Sequence, residues 1–154
     1  MLSYKRRLQR SGLIAATIVA GFAAALPALA QFPAPKADPN QRQVYLVRQD
    51  QSDCDNSNVP NVDSPLVFGN VWVTRQSDGN TNIQVAMTAK PRTTYHFYLK
   101  CVRQLTDITT DDEGVGNASV SVPTSLLGAA FAFDMYPEGA PSGNKFQSAT
   151  VKFN

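Results

Sequence analysis

The chain has 154 residues, with 14 Lys+Arg against 12 Asp+Glu, one histidine and two cysteines. A single histidine excludes copper-binding sandwich sites, which need two histidines beside a free thiolate. Basic residues cluster only within the first ten positions, so nothing further along offers nucleic acid an electrostatic footprint.

Lys5, Arg6, Arg7 and Arg10 precede an apolar run over residues 12–26, and Ala28-Leu29-Ala30 is a small-x-small cleavage site. Residues 1–30 therefore read as a cleaved export signal. A membrane anchor is the other reading, but the run is shorter than the roughly 20 residues a bilayer requires, and Pro27 interrupts it. Leu8-Gln9 after Arg6-Arg7 fits a Sec-type signal better than a twin-arginine one. No cysteine follows the cleavage site to carry a lipid. Four of the basic residues lie in the signal, leaving ten against twelve acidic residues and a net charge of −2. The expected destination is the periplasm or exterior of a bacterial cell, with no membrane anchor retained.

Residues 31–42 hold Pro33, Pro35 and Pro39 without apolar periodicity and read as a flexible leader. Residues 43–154 are enough for one domain with its own core. Strands are expected over residues 43–49, 66–75, 82–89, 93–103, 118–122, 129–136 and 145–153, from period-two alternation and aromatic or β-branched content. Residues 50–65 are dense in turn formers and read as a loop. Asp78-Gly79 between two apolar runs predicts a hairpin with a tight primed turn, and Gly69 marks a bulge or bend. Residues 105–117 read as an acidic turn leading into the next strand. Residues 124–130 could form a single helical turn. About seven antiparallel strands predict an all-β, two-sheet sandwich. The stretch Thr109-Thr-Asp-Asp-Glu-Gly-Val-Gly-Asn-Ala-Ser-Val120 resembles the threonine-acid-glycine turn of small bacterial Ig-like sandwich domains. That resemblance covers about a dozen residues, implies an Ig-like strand order, and brings no functional residue with it.

Residues 93–103 carry most of the chemistry. Tyr95, Phe97, Leu99 and Cys101 alternate with His96, Tyr98 and Lys100. If the first set faces the core, His96, Tyr98 and Lys100 form an outward surface suited to a protein or carbohydrate partner, since tyrosine offers a rigid contact area with a polar tip. The simpler reading is that Tyr98 covers a cross-strand neighbour. In an exported chain Cys54 and Cys101 are expected to pair, two buried thiols being the alternative. The bridge would close a loop of about 48 residues, worth ~4 kcal/mol by chain entropy. A zinc site would need His96, both cysteines and a carboxylate, and would sacrifice that bridge. His96 lies mid-strand and no G-x-S-x-G motif accompanies it.

Carboxylates gather twice: Asp50, Asp53 and Asp55 around Cys54, with Asn56 and Asn58 nearby, and Asp107, Asp111, Asp112 and Glu113 in the acidic turn. Neither run has EF-hand spacing. Solvated turn residues explain both, but a Cys54–Cys101 bridge would bring Asp53 and Asp55 beside Asp111, Asp112 and Glu113, where calcium could be held. Asn117-Ala-Ser119 matches a glycosylation sequon by pattern, though the surrounding glycine turn accounts for the asparagine. Two functions follow. The first is an exported, non-enzymatic binding, accessory or structural domain without a cofactor. The second is a small carboxylate-based hydrolase, with or without calcium. Oligomeric state is not encoded in any of these motifs.

The signal reading predicts that the exported protein begins at Gln31, as glutamine or pyroglutamate. Intact mass spectrometry checks this; an exported chain retaining all 154 residues would contradict it.

Overall fold

A computed structural model describes residues 38–60, 67–140 and 145–153; the segment expected to be an export signal, residues 1–30, and most of the expected leader lie outside them. Among the described residues there are ten antiparallel strands: β1 (Gln41–Arg48), β2 (Val67–Arg75), β3 (Asn80–Thr88), β4 (Thr94–Leu99), β5 (Arg103–Thr109), β6 (Val115–Pro123), β7 (Ala130–Phe131), β8 (Phe133–Pro137), β9 (Phe146–Ser148) and β10 (Val151–Lys152). A single 3₁₀ turn spans Thr124–Leu126, inside the segment where a helical turn was expected.

Eight strands form one continuous sheet in the order β5-β4-β8-β9-β1-β2-β3-β6, and β10 and β7 form a small second sheet. The all-β antiparallel expectation stands. The finer division into a two-sheet sandwich is not evident, because backbone pairing is unbroken from β5 to β6 and the sheet curls towards a barrel. Its first and last strands meet through the turn between them. Asp111 N donates to Val115 O at 2.9 Å, after which side chains take over: a Cβ on Gly116 would come within 2.9 Å of Ile108 Cγ2. The core lies inside the curl. Leu46, Val71, Val73, Ile83, Phe97 and Phe133 are wholly buried, and Phe97 stacks on Phe133 at 5.1 Å.

Three strands exceed the seven expected. The predicted strand over 93–103 is broken at its end: Val102 N donates to Leu99 O, and Cys101 takes a left-handed φ of 58°. The chain reverses there, and β5 returns along β4 from Arg103 opposite Leu99 to Thr109 opposite Thr94. The apolar alternation ran through a reversal it could not reveal. The last two expected strands are each divided by a short break, at Ala132 and at Ala149-Thr150. At the N-terminal side, β1 starts at Gln41, so Gln41 and Arg42 pair with Thr74 and Val73 instead of belonging to a loose leader.

The Asp78-Gly79 hairpin forms, but with a different turn. Asp78 is not among the positive-φ residues, while Gly79 has φ 85°; Gly79 N donates to Gln76 O and Gln76 N to Asn80 O. This is an ordinary turn closed by a left-handed glycine, one of the standard hairpin alternatives. The acidic turn repeats it, with Gly114 N donating to Asp111 O and φ 85° at Gly114. The extra residue at the Gly69 bulge is Phe68, since Leu46 pairs with Gly69 and Val47 with Val67.

The two turn glycines differ in surroundings. A Cβ at Gly79 would meet nothing within 4 Å, whereas one at Gly114 would lie 2.2 Å from Ala89 O. Gly79→Ala should therefore cost only the left-handed penalty of about 1–2 kcal/mol. Gly114→Ala adds a backbone clash and should cost about 2–5 kcal/mol. Urea unfolding of both variants tests the order; equal losses would contradict it.

Candidate functional site

The sheet places its sequence-marked residues at two opposite ends. One end holds Leu99 and the Cys54–Cys101 disulfide, which has formed with a Cα–Cα distance of 5.5 Å. Residues 49–60 leave β1 at Arg48 and run back across the outer face of β9 and β8 to reach it. Gln51 N donates to Gln147 Oε1 at 2.7 Å, Asn56 Nδ2 to Ser148 O at 3.1 Å, and Thr150 Oγ1 to Asp55 O at 2.5 Å.

Beneath this loop lies a buried polar cluster. Lys100 shares the outer face of β4 with His96 and Tyr98, but the loop roofs it, and its side chain is only 4% exposed. It is therefore absent from the outward surface expected for it. Its ammonium donates to Gln51 O at 2.5 Å and to Asn56 Oδ1, and stands 3.8 Å from Asp134 Oδ1. Gln147 Nε2 donates to Asp134 Oδ1 at 2.9 Å and to Gln51 O at 3.1 Å. Asn56 reaches this position through a left-handed φ of 49°, a conformation that asparagine tolerates. Burial pushes the Asp134 carboxyl above its usual 3.8, and the Lys100 charge only partly offsets that rise.

His96 and Tyr98 remain half-buried outside the roof. His96 Nδ1 lies 2.6 Å from Asp107 Oδ1, its direct cross-strand partner, and Gln104 Nε2 donates to the same oxygen at 2.5 Å. Tyr98 stacks on Tyr136 with centroids 4.9 Å apart and planes 10° from parallel. The simpler reading of Tyr98, as cover for a neighbour, describes this contact. Loss of solvent and a hydrogen bond with Tyr98 push the Tyr136 hydroxyl up to about 12.

The carboxylates expected to converge are separated. Cys101 closes one end of β4, while Thr109 and the acidic turn face Thr94 at the other, about 17 Å away at strand rise. Asp53 Oδ2 accepts from Ser57 N and Oγ, and Asp55 Oδ1 also accepts from Ser57 N. Desolvation raises the Asp53 carboxyl, but the Ser57 donors outweigh it and leave it below 3.8. Asp111 Oδ1 accepts from Glu113 N and Val115 N, and Asp112 faces Arg92 at 3.6 Å with both side chains exposed. Among the described residues no group of three metal-ligating side chains is assembled. Asn117 lies within β6 opposite Ala86, not in the glycine turn.

The end of the sheet away from the disulfide has no equivalent roof among the described residues. There the last residue of β1 and the first residues of β2, β4 and β9 surround a cleft of about 670 Å³, within the usual size range of small-molecule sites. Phe68, Tyr95 and Phe146 supply its aromatic wall, Phe146 lying 4.9 Å from Phe68 and 6.0 Å from Tyr95. Arg48 lies over both phenylalanine rings, and Lys90 and Glu138 complete the charged lining. Of these only Tyr95 stood out in the sequence, and there as a core residue; the others are ordinary strand or turn residues. Only the pairing of distant strand ends brings them together.

Compared with known proteins, the chain matches no family profile and no curated protein sequence. Among the described residues no helix is long and apolar enough to cross a membrane.

The raised Asp134 carboxyl has a definite sign. Between pH 3.8 and its higher folded value the native state binds more protons than the unfolded state, so this group lowers stability as pH rises through that window. Asp134→Asn removes the effect, and its stability relative to the parent should climb as pH increases from 3.8. Urea unfolding over a pH series measures the slope. A parallel pH profile, or an NMR-observed Asp134 carboxyl titrating at or below 3.8, would contradict it.

Proposed function

We propose that the protein is an exported, non-enzymatic binding domain that holds a small ligand in the open-end cleft. The carrying observation is the 670 Å³ cleft walled by Phe68, Tyr95 and Phe146, with charge confined to Arg48, Lys90 and Glu138. Ligand sites are mostly apolar concavities with a few polar groups to orient the occupant. Export is supported by the signal pattern over residues 1–30 and by the disulfide, which oxidising compartments favour. An Ig-like relationship remains part of this reading, on the strength of the Thr109–Val120 turn sequence. A protein or carbohydrate partner at the half-buried His96–Tyr98 face is a second surface of the same reading, supported by the ring contacts there. The hydrolase alternative gains no support from the carboxylates, which serve as turn caps and cross-strand partners.

Titration with neutral 2-naphthol, followed by NMR, should shift ring resonances of Phe68, Tyr95 and Phe146. Phe68→Ala should weaken binding roughly tenfold, since an aromatic contact and its buried area are lost. Shifts confined to other surfaces, or unchanged affinity in the variant, would refute the site.

A further inference from the structure

We infer that the cleft selects an amphiphile bearing one carboxylate, its apolar body on Phe68 and Phe146 and its carboxylate on Arg48. This rests on the cleft being the ligand site, and adds what the ligand must be. Arg48 Cζ lies 5.3 Å from the Phe68 ring centre and 5.6 Å from that of Phe146. A guanidinium lying over aromatic rings makes no hydrogen bond to them through its in-plane N–H groups, which can fork onto a carboxylate. None of those donors meets an acceptor among the described residues, and Arg48 is exposed.

Arg42 shows the contrast. It lies over Phe153 at 4.7 Å, but spends its donors on Lys152 O, Pro39 O and Gln41 O. Arg75 lies over the same ring at 4.1 Å with its Nε buried and unpaired, and is not part of the cleft lining. Arg48 alone among the three joins an aromatic wall, a cavity and unspent donors.

The rest of the lining points the same way. Buried Tyr95 accepts from Lys90 N through its hydroxyl at 3.2 Å, and no described residue accepts the hydroxyl proton. The Lys90 ammonium adds a second cation, and Glu138 is the sole carboxylate among the lining residues. The excess is one positive charge, and Arg48, Lys90 and the Tyr95 hydroxyl all bring donors without side-chain partners among the described residues, against the single carboxylate of Glu138. An occupant should supply acceptor oxygens with a single negative charge; a dianion would meet Glu138, and a cation would meet Arg48 and Lys90.

The test compares two nearly isosteric probes, 2-naphthoate and 2-naphthamide, by isothermal titration of the purified protein at low salt. Naphthoate should bind at least about tenfold tighter, the scale of one charge-assisted hydrogen bond. Arg48→Met should bring the ratio between the probes close to one, and Arg48→Lys should keep part of it. Glu138→Gln should raise it. Equal binding of the two probes would overturn the carboxylate inference while leaving the cleft as a site. Binding of neither would overturn both. A preference that survives Arg48→Met would show that another group reads the charge and would also overturn the inference.

Discussion

The burial of the Lys100 ammonium beneath residues 49–60 is the constraint that most of the stapled end depends on. Removing an ammonium from water costs several kcal/mol unless its donors are met. Here Gln51 O, Asn56 Oδ1 and the Asp134 carboxylate surround it, and Gln147 holds both Gln51 and Asp134 in place. The cluster can form only if the loop crosses the sheet along this path. The disulfide then makes that path hard to leave, since the unfolded chain loses the freedom of a long loop. Asn56, within the cluster, and Cys101, next to Lys100, both hold left-handed backbone conformations. Such residues persist when their surroundings over-determine them.

Closing one end of the sheet in this way accounts for the asymmetry of the whole. The small β7–β10 sheet adds Phe131 and Val151 to the core, and Arg42 ties Lys152 O back to β1. At the far end the strands finish without an equivalent roof among the described residues. Their terminal aromatics turn towards one another instead, and Arg48 lies across two of them.

How far the sequence could be read follows from the range of each interaction. Alternation is local, so the burial of Tyr95, Phe97 and Leu99, and of Phe131, Phe133 and Met135, was legible. The cysteine pairing was legible because two thiols in a chain whose sequence reads as exported have one simple fate. The reversal at Cys101 was not, because a non-glycine residue at φ 58° leaves no compositional mark. Missing β5 then sent the acidic turn to the wrong end of β4, and with it the supposed meeting of Asp53 and Asp55 with Asp111, Asp112 and Glu113. Lys100 was assigned to the correct face of its strand but the wrong environment. Period two specifies a face; it says nothing of what a distant loop lays over it. The cleft was least legible of all, since Arg48, Phe68, Tyr95 and Phe146 come from four strands and share no motif.

These placements bear on chemistry as well as on fold. Catalysis by side chains needs titratable groups whose partners leave them a proton or a lone pair to spend on substrate. In this chain the most evident candidates are already spent. Asp53, Asp55 and Asp111 hold turns together, Asp107 holds His96, and Asp134 faces a buried ammonium. Each of those bonds has a structural use that a reacting group would have to give up. Arg48 differs because it lies over the Phe68 and Phe146 rings and none of its donors meets an acceptor among the described residues. Unspent donors beside an apolar wall favour recognition over reaction, because they can orient an anion but cannot take its proton. Under the proposed binding function the cleft would orient a bound group through Arg48, and the buried cluster at the other end would hold the scaffold on which that cleft is displayed.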